Sequence, residues 1–127
     1  MIDPELHYAA QTYSGKVVLV TGASRGVGRE TALQYARAGA SGVAIVARSA
    51  DALVETRDAI FAVEPGAQVL VLAADVRDVE SARDAVRSVL RRFGKLDILI
   101  ANAGAITAFT SSKAPRAPPL LLFLLFA

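Results

Sequence analysis

Four aliphatic runs recur along the chain, each separated from the next by apolar positions in a helical rhythm. Lys16 to Val20 carries four Val or Leu residues in succession, which suits a strand buried on both faces of a parallel sheet. A helix starting near Val27 follows, with Val27, Thr31, Ala32, Tyr35, Ala36 and Ala38 on one stripe and Gly39 at its C-terminus. Gly42 leads into a second buried strand, Val43 to Ala47. Ser49 or Asp51 caps the next helix, whose inner face carries Leu53, Ile60 and Val63 before Pro65 and Gly66 stop it. Val69 to Leu72 forms a third strand, running up to Asp75. Asp78 caps a third helix with Ala82, Val86, Val89, Leu90 and Phe93 inward, and Gly94 ends it. Leu96 to Ile100 is the fourth strand, and Asn102, Ala103 and Gly104 follow it.

Strands alternating with helices of this length predict an α/β fold with a parallel, helix-covered sheet. Right-handed crossovers then place the strands in the order 3-2-1-4. The alternation ends near residue 104. Residues 1–13 read as an N-terminal extension, 14–104 as a doubly wound half-domain, and 105–127 as a tail of different make. Lys113, Pro115, Pro118 and Pro119 give a loop composition, and Leu120 to Ala127 is apolar with neither the strand nor the helix period. No acidic residue occurs after Asp97. The sheet is therefore expected to be truncated after its fourth strand.

With 54% hydrophobic and 20% charged residues, the chain can build a core. It has no cysteine, which removes disulfides and thiol-based metal or redox sites. Its net charge of +2 is spread along the sequence, too weak an imbalance to recruit nucleic acid or an anionic membrane. No apolar h-region follows Met1, and no apolar stretch approaches the roughly 20 residues of a membrane helix. A cytoplasmic protein is the expectation. His7, the single histidine, has no second ligand candidate beside it, so no metal site is expected.

The chemistry concentrates between the first strand and the first helix. Gly22, Gly26 and Gly28 put no Cβ over the turn, so its backbone can bend tightly and approach a ligand closely. The helix beginning near Val27 aims free amide groups and its positive dipole end at the same spot, which suits a pyrophosphate. Ser24, Arg25 and Val27 fill the remaining positions and join the candidate cofactor contacts, Ser24 through its backbone or hydroxyl on a phosphate.

Thr21-Gly22-x-x-x-Gly26-x-Gly28, Asp75-Val76 after strand three and Ala101-Asn102-Ala103-Gly104 after strand four together resemble the short-chain dehydrogenase/reductase family over roughly residues 14–105. Ala101 stands where that family has an Asn. The resemblance implies a Rossmann-like sheet and a family-level activity, hydride transfer between a nicotinamide cofactor and a carbonyl or alcohol. It implies adenine contact through the Asp75 carboxylate, with the Val76 backbone assisting. Asn102 either ties adjacent strands together near the nicotinamide ribose or contacts the cofactor, and Ala103 and Gly104 line the cleft. Family members that prefer NAD carry an Asp at the place of Ala47. Here Arg48 follows it, and Arg25 and Arg48 are expected to clamp a 2′-phosphate, which makes NADP the expected cofactor over NAD.

The family's catalytic Tyr-x-x-x-Lys and its upstream Ser have no counterpart. Thr12, Val17 and Gly39 stand four residues after Tyr8, Tyr13 and Tyr35, and the lysines are Lys16, Lys95 and Lys113. No catalytic residue is assigned, and the family's subunit-pairing helices are also absent. Three readings remain open: an NADP-dependent oxidoreductase of which this is the cofactor-binding half, a non-catalytic nucleotide-binding fragment, and a truncated or misread gene product without activity.

Overall fold

Alternation inside the first two strands decides which face of the sheet each side chain serves. The computed structural model describes residues 13–102. They form β1 (Val17–Thr21), α1 (Gly26–Arg37), β2 (Gly42–Ala47), α2 (Ala50–Val63), β3 (Val69–Ala73), α3 (Val79–Phe93) and β4 (Ile98–Ile100). The sheet runs β3-β2-β1-β4 with every pairing parallel, the order expected from the sequence. Val20 sits between Ile45 of β2 and Ile100 of β4.

Val18 and Val20 of β1, with Val43 and Ile45 of β2, face one side and pack with Ala32 and Ala36 of α1 and Leu53 and Ile60 of α2. Val17, Leu19, Ala44 and Val46 face the other side, against Ala85, Val86 and Val89 of α3. Both central strands are thus buried on both faces, and each fully buried Leu or Ile contributes about 1.5–3 kcal/mol. The helix ends follow their local chemistry. Ser49 Oγ accepts from Ala52 N at 3.3 Å, Asp78 Oδ1 accepts from Glu80 N at 3.4 Å, and Gly94, at φ 81°, turns the chain out of α3.

Three apolar residues expected inside face solvent instead. Val27 is 73% exposed, because the stripe of α1 that meets the sheet is Gly28, Ala32 and Ala36, one residue further round. Leu90 is likewise one position off the inner face of α3 set by Ala82, Ala85, Val86 and Val89. Val63 is the last residue of α2, whose inner face is Leu53, Thr56 and Ile60.

Strand four is shorter than the expected Leu96 to Ile100, and Asp97 lies just ahead of it. The Asp97 backbone N–H donates to Val17 O at 3.0 Å, and its Oδ2 accepts the Val17 N–H at 2.8 Å. The side chain therefore clamps the start of β1 to the approach of β4. The Val17 N–H, foremost, and then Lys95 at 3.2 Å hold this carboxyl below its ordinary pKa.

Candidate functional site

All four strands are parallel, so the loops after β1, β2, β3 and β4 leave the same edge of the sheet. Gly22 (φ 64°) and Gly26 (φ 61°) bracket the loop after β1 in the left-handed region that glycine tolerates. Between them, Ala23 is fully buried. Its N–H donates to Val46 O of β2 at 3.1 Å, and its carbonyl accepts from the Thr56 hydroxyl of α2 at 2.9 Å. Arg25, in extended conformation, precedes α1. No side chain caps that helix, and its first turn holds no acidic residue. Among the described residues the amides of its first turn thus have no capping side chain or first-turn carboxylate, which leaves the positive end of the helix suited to an anion.

Gly28 has a steric role. A Cβ there would overlap the Gly22 carbonyl and come within 2.7 Å of Asn102 Nδ2. The bare backbone lets the first turn of α1 close onto the loop and brings the Asn102 side chain beside it. Asn102 is also tied to β1, since its N–H donates to Thr21 Oγ1 at 2.9 Å while that hydroxyl donates to Ile100 O at 3.4 Å. The loops after β1 and β4 therefore form one unit.

Arg48 is exposed directly after β2, and Ala74 N donates to Ala47 O at 2.9 Å, joining the ends of β2 and β3. Thr21 lies in register with Val46, so Arg25 and Arg48 follow paired positions on neighbouring strands. Asp75, half-buried after β3, has its backbone N–H on Ser81 Oγ at 3.2 Å. Its Oδ1 accepts from the Arg77 backbone N–H at 3.0 Å, and the Arg77 guanidinium pairs with both carboxylate oxygens. These bonds, with a smaller electrostatic contribution from Arg48, hold the Asp75 carboxyl down to about 2. Val76 packs against the face covered by α3. Of the residues expected at the site, Gly22, Ser24, Arg25, Gly26, Val27, Gly28, Arg48, Asp75, Val76 and Asn102 follow the carboxyl ends of their strands; Ala103 and Gly104 lie outside the described residues.

Tyr13 and Tyr35 are remote from this edge. Tyr13 N donates to Ala38 O ahead of β1, and the two rings meet edge to face at 5.0 Å. Burial, then Tyr13, raises the Tyr35 phenol above its ordinary pKa, which opposes a phenolate. Among the described residues no group of three His, Cys, Asp or Glu side chains could hold a metal ion, and no helix is long and apolar enough to cross a membrane.

Residues 16–117 match the short chain dehydrogenase family, beyond residue 105 where the motif resemblance ends. The chain belongs to that family. It is 45% identical over 106 residues to a short chain dehydrogenase of Monascus purpureus, covering 81% of this chain and 36% of that one. The solved short-chain alcohol dehydrogenase of Sinorhizobium meliloti superposes with a TM-score of 0.68 at 43% identity, over 80% of this chain and 40% of that one. Carveol dehydrogenase of Mycobacterium avium, solved in complex with NAD, superposes with a TM-score of 0.66 at 32% identity, over 72% and 36% of the two chains. The chain spans about a third of the length of the curated short-chain dehydrogenases it matches, 36% of the Monascus protein. The parallel 3-2-1-4 sheet with flanking helices is the Rossmann-like architecture of these structures.

Thr56, Arg77 and the clamp made by Asp97 lie outside the site residues expected from the sequence. Thr56 had a signal: a hydroxyl between Leu53 and Ile60 at helical spacing sits on the buried stripe.

Proposed function

We propose that this chain binds NADP at the carboxyl edge of its sheet, as part of an oxidoreductase that moves a hydride between nicotinamide and a carbonyl or alcohol. The observation that carries the reading is Gly28: the space a Cβ would fill is taken by the Gly22 carbonyl and by Asn102, which sets the first turn of α1 directly against the glycine-bracketed loop. Gly22, Ser24, Arg25, Gly26, Val27 and Gly28 hold the pyrophosphate. Asp75 and Val76 meet the adenine, Asn102 meets the nicotinamide ribose, and Ala103 and Gly104 are proposed to line the cleft. The bound cofactor supplies or accepts the hydride.

Cofactor choice rests on Arg48 and on Ala47, which offers no carboxylate to a ribose hydroxyl. Two guanidiniums, Arg25 and Arg48, attract a 2′-phosphate and fork onto its oxygens. Arg77 is committed to Asp75, so the pair carries little net charge toward the ligand.

A binding role without turnover is favoured for the chain on its own, because the tyrosines among the described residues stand away from the site and Tyr35 resists ionisation. Titration calorimetry with NADPH and NADH tests both parts. NADPH is expected to bind tighter by about tenfold. Equal affinities overturn the NADP assignment, and absence of binding by either overturns the dinucleotide reading.

A further inference from the structure

Thr56 is a fully buried hydroxyl in the middle of α2, and its bond leaves the helix. A threonine within a helix commonly returns its hydroxyl to the carbonyl four residues back, as Thr31 does to Val27 O at 2.7 Å. Thr56 instead donates to Ala23 O, 33 residues away, at 2.9 Å. Ala23 is the residue of the loop after β1 held from two elements, by β2 through its N–H and by α2 through its carbonyl. The glycines on either side, Gly22 and Gly26, have positive φ and supply none of this restraint through side chains.

We infer that Thr56 is a positioning residue for phosphate recognition, setting the orientation of the loop peptide that joins Ala23 to Ser24. The inference rests on the dinucleotide reading above. The peptide is planar and trans, so its carbonyl and its N–H point in opposite directions. With the Ala23 carbonyl drawn inward to α2, the Ser24 N–H points away from α2, outward from the buried side of the loop. Without the hydroxyl, that carbonyl has lost its buried donor and is driven to seek water, and the peptide plane is free to turn.

The test compares wild type, Thr56→Val and Thr56→Ser in the full 127-residue chain. Affinity is measured by NMR titration with ADP and with adenosine, which shares the base and ribose but has no phosphate. Amide hydrogen exchange at Ala23, whose N–H donates to Val46 O at 3.1 Å, is followed without ligand. In Thr56→Val the Kd for ADP is expected to rise about tenfold while that for adenosine stays within about twofold. Exchange at Ala23 is expected to quicken as the loop loosens, and Thr56→Ser is expected to restore both quantities. Equal weakening of ADP and adenosine, unchanged ADP affinity, or failure of Ser to restore it overturns the positioning role. If wild type does not bind ADP, the dinucleotide reading fails, and the exchange data alone decide whether Thr56 holds the loop: unchanged exchange in Thr56→Val refutes it.

Discussion

Asp75 and Arg77 close a two-point ion pair, with Arg77 Nε 3.0 Å from Asp75 Oδ1 and Nη2 2.9 Å from Oδ2. The fork holds the carboxylate at the carboxyl end of β3, next to the edge occupied by Arg48. An adenine amino group reaching Asp75 would therefore meet an acceptor of set orientation rather than a free-swinging one.

This pair and the Asp97 clamp make stability sensitive to acid. Both carboxyls titrate below their ordinary 3.8 in the folded protein, Asp75 at about 2. The unfolded chain takes up its protons first, so stability is present above 3.8 and drains away as pH falls toward the folded values. Urea midpoints are expected to fall as pH is lowered from about 5 to about 2, and Asp75→Asn is expected to flatten that slope. Parallel curves for variant and wild type would mean that Asp75 titrates alike in both states.

Gly28→Ala places a methyl against the Gly22 carbonyl and within 2.7 Å of Asn102 Nδ2. Because the nearest obstacle is backbone, relief requires the helix or loop to move. A loss of about 1–3 kcal/mol in denaturant unfolding is expected, together with loss of NADPH binding. A variant of wild-type stability and affinity would show that the loop yields without cost.

Arg48→Asp puts a carboxylate beside the proposed 2′-phosphate position. NADPH affinity is expected to drop by about tenfold or more while NADH is held or improved. Calorimetry showing an unchanged preference would remove Arg48 from cofactor choice.

Leu53 and Val27 separate buried from exposed helix positions. Leu53 is wholly buried, and Leu53→Ala is expected to cost about 2–5 kcal/mol through lost contacts and the cavity left behind. Val27 is 73% exposed, and Val27→Ala is expected to stay within about 0.5 kcal/mol of wild type. Thermal or urea unfolding of the two variants provides the comparison.

Much of this was legible one residue at a time. Runs of Val, Ile and Leu specify doubly buried strands, Ser49, Asp78 and Gly94 mark helix ends through bonds made within a few residues, and the glycines of 22–28 announce the bend. The parallel, helix-covered sheet follows from those local signals, and the family motifs single out the 3-2-1-4 order among the orders that right-handed crossovers allow. Two things depended on the folded chain. Helical spacing gives the width of an apolar stripe but leaves its rotation open by a residue, so Val27 and Leu90 turned outward. The bonds from Thr56 to Ala23, Val17 to Asp97 and Asn102 to Thr21 join residues 33 to 81 positions apart. Each arises because strand order brings those segments side by side, where a polar group leaving water must find whatever partner packing has placed there.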